Sequence, residues 1–189
     1  MAMVNSFRKF GCQCLWMVAV VLSTTASAQW FQGPSGGRGG SYFDHWQQSL
    51  GARNIVSVGL LIDNGSIRCI LVEYKEPGAS LNQQQQLRNG SCDLATDPFS
   101  SAKWTGVSLD DDEYVIGISG RYGDRIDSLR IYTNKKTSNV FGGTGGTQEF
   151  GYTAPPGQMI VAFIGRSGAA LDAIGVVYAP CTPYKKPCR

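Results

Sequence analysis

Gly120-Arg-Tyr-Gly-Asp-Arg-Ile-Asp-Ser-Leu129 recurs 45 residues later as Gly165-Arg-Ser-Gly-Ala-Ala-Leu-Asp-Ala-Ile174. The shared pattern is G-R-x-G-x-x-[I/L]-D-[S/A]-[L/I]. Each copy sits between two β-branched, apolar runs. Tyr114–Ser119 precedes the first copy, and Ile126–Tyr132 carries it onward. Met159–Ile164 and Leu171–Tyr178 do the same for the second. A third, degenerate pair is Ile55–Ile62 and Ile67–Tyr74, joined by Asp63-Asn64-Gly65. Asn and Gly tolerate positive φ, so this triplet is a hairpin turn signal. In that copy Arg68 stands where the others have Asp127 and Asp172. A single hairpin cannot bury its apolar face, so three of one design imply a threefold, all-β domain around one core. No stretch of twelve or more residues keeps a 3.6-residue period, so helix content is expected to be low. Gln83 to Gln86 reads as a polar loop between strands.

Composition supports this reading. The chain has 189 residues, 42% of them hydrophobic and 16% charged, which excludes a disordered chain and allows one domain with a proper core. Its 24 glycines point to a turn-rich β protein. The lone histidine, His45, excludes a multi-histidine zinc site and weakens any Ser/His/Asp triad.

Residues 1–28 read as a secretory signal peptide. Arg8 and Lys9 form a basic start, Leu15–Leu22 an apolar run too short to span a bilayer, and Ala26-Ser27-Ala28 a cleavage site. Taking Arg8 and Lys9 from the 17 basic residues leaves 15 against 14 acidic ones. The net charge of +3 therefore belongs mostly to the leader and gives no argument for nucleic acid. The expected location is secreted or extracellular (periplasmic in a bacterium), with no membrane span. Four cysteines remain after the leader. In an oxidising compartment they are expected to pair, as Cys181–Cys188 closing a short C-terminal loop and Cys69–Cys92. Zinc is the alternative, but neither C-x-x-C spacing nor histidine supports it, so no metal or cofactor is expected. Asn64-Gly-Ser66 and Asn89-Gly-Ser91 fit the N-glycosylation sequon.

The chain resembles the jacalin-related lectins. The residues that carry the resemblance are Gly33-Pro-Ser-Gly-Gly-Arg-Gly-Gly-Ser-Tyr-Phe-Asp44, Phe141-Gly-Gly-Thr-Gly-Gly-Thr-Gln-Glu-Phe150 and Phe163-Ile-Gly-Arg-Ser-Gly-Ala-Ala-Leu-Asp-Ala-Ile-Gly175. The terminal segment is similar to the animal zymogen-granule members as much as to the plant ones. The resemblance implies a β-prism I of three four-stranded Greek-key sheets. It divides the chain into a lectin domain at 29–180 and a short, disulfide-closed tail at 181–189.

It also implies a sugar site built from Gly40 and the loop Gly168, Ala169, Ala170, Leu171 and Asp172. The chemistry is reasonable, because a carboxylate can accept from two vicinal hydroxyls through charge-assisted bonds. Backbone N–H groups of Ala169, Ala170 and Leu171 can donate to the same hydroxyls, and glycine lets the facing loop come close. A second site of the same kind would comprise Gly123, Asp124, Arg125, Ile126 and Asp127 beside Gly146. The other reading of both aspartates is a turn residue that caps its own backbone.

In the galactose-preferring branch, cleavage frees an amino terminus at the position of Gly40. Here Gly39-Gly40 lies inside a continuous chain, which resembles the mannose/glucose branch. Ala169 and Ala170 offer little stacking area, so monovalent affinity should be weak and multivalency, as in a homo-oligomer, useful. Expected partners are glycans or glycoproteins.

Two other classes compete. An anionic, sulfated polysaccharide could contact Arg38, Arg121 and Arg166. A fold kept only as a structural or interaction module is the other. Catalysis finds little support. Ser167 misses G-x-S-x-G, His45 reads as a surface residue, and Asp110–Glu113 reads as a solvated turn.

Overall fold

The computed structural model describes residues 30–49, 54–76, 83–93 and 102–181. The leader and the tail beyond Cys181, with its proposed Cys181–Cys188 pairing, lie outside the described residues.

Among the described residues, twelve strands form three four-stranded antiparallel sheets. Sheet A contains β1 (Trp30–Gly36), β2 (Ser41–Asp44), β11 (Gln158–Ser167) and β12 (Leu171–Pro180), in the order β1-β12-β11-β2. Sheet B contains β3 (Asn54–Asp63), β4 (Ser66–Lys75), β5 (Gln84–Gly90) and β6 (Lys103–Ser108), in the order β5-β4-β3-β6. Sheet C contains β7 (Val115–Tyr122), β8 (Ile126–Thr133), β9 (Phe141–Gly142) and β10 (Gln148–Thr153), in the order β10-β7-β8-β9. Each is a hairpin flanked by two further strands, a Greek key repeated three times. Sheet A closes through the two ends of the chain, since β1 and β2 flank the β11–β12 hairpin. The expected all-β, three-sheet β-prism is the observed fold.

The copies agree in detail. Each central hairpin has one bulge near its start, between Ile55/Ser57, Val115/Gly117 and Ile160/Ala162. Each has another at its turn, between Leu61/Ile62, Arg121/Tyr122 and Arg166/Ser167. Bulges twist and bend a strand, so repeating them gives the three sheets the same curvature. Inward side chains meet on the common axis, including Leu60 and Val72 from sheet B, Ile118 and Leu129 from sheet C, and Phe163 and Ile174 from sheet A. Sheet A is also covered outside. Val161, Ile164 and Val177 pack with Trp46 of the single described helix, α1 (His45–Gln48). That second layer explains why Met159–Ile164 is apolar throughout instead of alternating.

Three local expectations are corrected. Gln84–Gln86 is not loop but the start of β5, paired with Lys75, Tyr74 and Glu73 on β4. The ladder supplies the backbone bonds, and the Gln86 amide donates to Glu73 Oε1 at 2.6 Å. His45 is fully buried, at 0% exposure, because α1 turns its ring under β4 and β5. In Asp110–Glu113, the three aspartates are exposed but Glu113 is buried, accepting from the Thr133 hydroxyl at 2.6 Å and facing Lys136 Nζ at 3.1 Å.

The expected Cys69–Cys92 disulfide is formed, with a Cα–Cα distance of 5.0 Å and a sequence separation of 23. It ties the end of β5 to β4. Cross-linking a loop of that length restricts the unfolded chain by about 3–3.5 kcal/mol. Replacing both cysteines by alanine should therefore lower the unfolding free energy by about that amount in urea titrations. An unchanged midpoint would mean the β4–β5 ladder holds the segment unaided.

Candidate functional site

The turns at one end of the prism bring the predicted residues together. Gly36, Gly90 and Gly142 end equivalent strands, all at positive φ (135°, 102° and 98°). A side chain at any of them would strike the carbonyl of Asp172, Arg68 or Asp127 respectively. The next residue then donates its N–H to that same carbonyl: Gly37 to Asp172 at 2.8 Å, Ser91 to Arg68 at 3.1 Å, Gly143 to Asp127 at 3.0 Å. This fixes a second loop against each hairpin turn.

In two copies that loop continues as a glycine pair pressed on a carboxylate. A Cβ on Gly39 would lie 2.9 Å from Asp172 Oδ1, and one on Gly40 2.5 Å from Oδ2. In the other copy, a Cβ on Gly145 would lie 2.6 Å from Asp127 Oδ1, and one on Gly146 2.7 Å from Oδ2. Gly40 and Gly146 have φ of 59° and 72°, in the left-handed region that glycine tolerates. Two equivalent cradles result, each with a carboxylate walled by bare backbone.

The arginines of the shared G-R-x-G pattern brace these cradles. Arg166 Nε donates to the Gly39 carbonyl at 2.8 Å and Nη2 to the Gly40 carbonyl at 2.6 Å, with a longer contact to Arg38 O. Arg121 Nη2 donates to the Gly146 carbonyl at 2.8 Å and Nε to Gly145 at 3.3 Å, while Nη1 pairs with Glu149 at 2.8 Å. Both arginines are candidate anionic contacts on the sequence alone, and neither pattern nor spacing shows that they brace the loops. They bind loop carbonyls, which occupies donors an anionic ligand would need. Arg38 is exposed at the tip of the same loop. Leu171 and Ile126 are fully buried in the core, so only their backbone belongs to the cradles.

The first copy is closed by different chemistry. Arg68 replaces the carboxylate, pairs with Asp63 at 3.0 Å and donates to the Ser91 hydroxyl at 3.0 Å. The Cys69–Cys92 bond pins the same loop.

Asp172 is the site's unsatisfied group. Its Oδ2 is buried and has no hydrogen-bond partner. The Gly168 N–H lies close enough to favour the ionised form, but it is directed at the Ala170 carbonyl, 3.0 Å away, and leaves Oδ2 unbonded. Burial pushes the carboxyl above the ordinary aspartate value, while the charges of Arg125 and Arg166 pull it back down. Arg125 reaches this aspartate because its turn packs on the first loop, with the Asp124 carbonyl against Gly37. The cradle can accept hydroxyl protons at Oδ2 and holds no paired acid and base. Among the described residues, no group of three or more His, Cys, Asp or Glu side chains could hold a metal ion. Nor is any helix there long and apolar enough to cross a membrane.

A threefold prism with glycine-walled carboxylates at its loop end defines the class, a β-prism lectin domain. The model of the jacalin-like lectin domain matches residues 32–177, and the chain belongs to that family. Jacalin-related lectin 5 of Arabidopsis thaliana is 34% identical over 122 residues, covering 62% of this chain and 15% of that protein. A mannose/glucose-specific lectin of Parkia pendula is 32% identical over 153 residues, covering 78% of this chain and 31% of that protein. The chain thus spans less than half the length of the first curated relatives it matches. Among solved structures, the mannose-binding lectin from Champedak superposes with a TM-score of 0.65 at 28% identity, covering 82% of this chain and 99% of that one.

Proposed function

We propose that this protein is an exported, non-catalytic lectin for mannose- and glucose-type glycans. Asp172 with Gly40 and the Gly168–Leu171 backbone is the primary site, and Asp127 with Gly146 and the Gly123–Ile126 turn is a second. The observation that carries the reading is the buried, unpaired Oδ2 of Asp172 inside a glycine-walled opening. A buried acceptor without a partner costs about 1–3 kcal/mol, and a vicinal diol supplies the missing donors. The uninterrupted chain through Gly39 and Gly40, held by Arg166, supports the mannose/glucose branch over the galactose branch. The names of the Parkia and Champedak relatives agree. Export is supported by the 1–28 leader pattern and by the Cys69–Cys92 disulfide, which needs an oxidising compartment.

Calorimetric titration of the oxidised protein should give millimolar-range binding of methyl α-mannoside and none of methyl galactoside at the same concentrations. Preference for galactoside, or no binding of either, would remove this reading.

A further inference from the structure

The outer face of sheet C carries an open depression of about 280 Å3, whose lining includes none of the cradle glycines. Strand alternation places Ser119 and Arg121 of β7, Ser128 and Arg130 of β8, and Glu149 of β10 on this face. Ser119 pairs with Arg130, and Arg121 with both Ser128 and Glu149. Glu149 is neutralised by Arg121 at 2.8 Å. Arg130 is different. Its Nε is buried without a hydrogen-bond partner, and it makes no ion pair among the described residues. Arg121 is thus committed to Glu149 and the loop carbonyls, and Arg130 is the lining's one guanidinium with a buried N–H unsatisfied. Val140, half exposed, adds an apolar edge.

Arg121 links this depression to the second cradle, since the guanidinium that forms its wall also holds the carbonyls of Gly145 and Gly146. We propose that the depression is an acidic-sugar subsite. It takes the oxyanion of a uronate carboxylate or a sulfate ester, on a saccharide unit joined to the unit held at Asp127. The placement of the neutral unit rests on the second cradle proposed above; the anion's contact with Arg130 does not. A guanidinium N–H to an oxyanion is among the stronger hydrogen bonds, and the Val140 edge suits the C–H face of a sugar ring.

The test titrates the oxidised full chain, at fixed ionic strength, with a mannose disaccharide and with its uronate-bearing and sulfated counterparts. Wild type should bind one or both acidic forms about tenfold more tightly than the neutral one, as expected of one charge-assisted bond. The preferred acid identifies the source of the anion. Arg130→Gln should abolish the preference and leave neutral-sugar affinity unchanged. Val140→Glu, at a half-exposed position outside the strands, should also abolish it by placing a second carboxylate at the rim. Equal affinity for acidic and neutral sugars in wild type, or an acid preference that survives Arg130→Gln and Val140→Glu, overturns the subsite. If Asp127→Asn changes no affinity while the Arg130-dependent preference persists, the second cradle fails and the anion subsite stands alone.

Discussion

Replacing Asp172 by asparagine should lower mannoside affinity at the primary cradle at least about 100-fold, leaving only the Asp127 cradle to titrate, with the melting temperature unchanged or slightly higher. The first half follows from the bonds lost. Two hydroxyls donating to one carboxylate form two charge-assisted hydrogen bonds, each worth about 1.5–3 kcal/mol. Asparagine keeps one oxygen and turns the other position into a donor, so both the charge and the bidentate pattern go. The second half follows from linkage. The folded-state pKa of Asp172 is raised, chiefly by burial. Its favourable contribution to stability is therefore present below the unfolded-chain value and is lost as pH rises through the folded value. At neutral pH the ionised carboxyl is a cost to the fold, and removing the charge relieves it. A carboxyl whose burial opposes its ionisation fits the proposed ligand role, whereas a turn cap would show the reverse, with stability falling in the variant.

The same shift sets a pH signature for the proposed site, in which the sugar is held by the carboxylate. Affinity should begin to fall with acid at a higher pH than an ordinary aspartate would give. Asp127→Asn supplies the control for site number. With two working sites, wild type titrates with a stoichiometry near two and either variant near one. Unchanged affinity and stoichiometry in both variants would sink the cradle mechanism.

The hairpins were legible because their signals are local. Asn64-Gly65 adopts the positive φ values, 48° and 72°, that the dipeptide favours. The repeat was legible because its pattern encodes shared geometry. Gly120 and Gly165 leave room for the rings of Phe150 and Phe43, whose atoms would sit 2.8 and 2.9 Å from a Cβ. The arginine beside each of those glycines was visible too. It recurs with the cradles and is missing from the copy that lacks one, but only coordinates show that its partners are carbonyls. β5 is not legible because the run of four glutamines, Gln83–Gln86, gives no strand signal, and its pairing comes entirely from β4. The orphaned Nε of Arg130 had no signal at all. The position 45 residues further on is Gly175, so the repeat gives that arginine no counterpart to be compared with.

His45 should be the main source of acid lability. Its ring joins the β2–α1 corner, directly after the first glycine loop, to sheet B. Nδ1 lies 2.8 Å from the Tyr74 hydroxyl, and Nε2 lies 2.5 Å from Asn89 Oδ1. Because an amide oxygen only accepts, Nε2 carries the proton and Nδ1 accepts from the Tyr74 hydroxyl. A second proton has no acceptor in this chain of bonds. Burial lowers the imidazole pKa to about 4, although the bond to Asn89 and the charge of Asp44 pull the other way. The neutral ring is thus favoured only in the fold. Its contribution is fully present above the unfolded value of 6.5 and is lost as pH falls through about 4. The loss should approach about 3 kcal/mol across that window.

Phenylalanine at position 45 keeps the ring volume but orphans Tyr74 and Asn89, costing about 2–4 kcal/mol at pH 7. It should also flatten the pH dependence between 6.5 and 4, because Asp44 and the other carboxylates are common to both proteins. Urea unfolding of wild type and His45→Phe at about pH 7 and about pH 4.5 reads both effects. Parallel pH profiles in the two proteins would show that the buried imidazole does not set the acid limit of the fold.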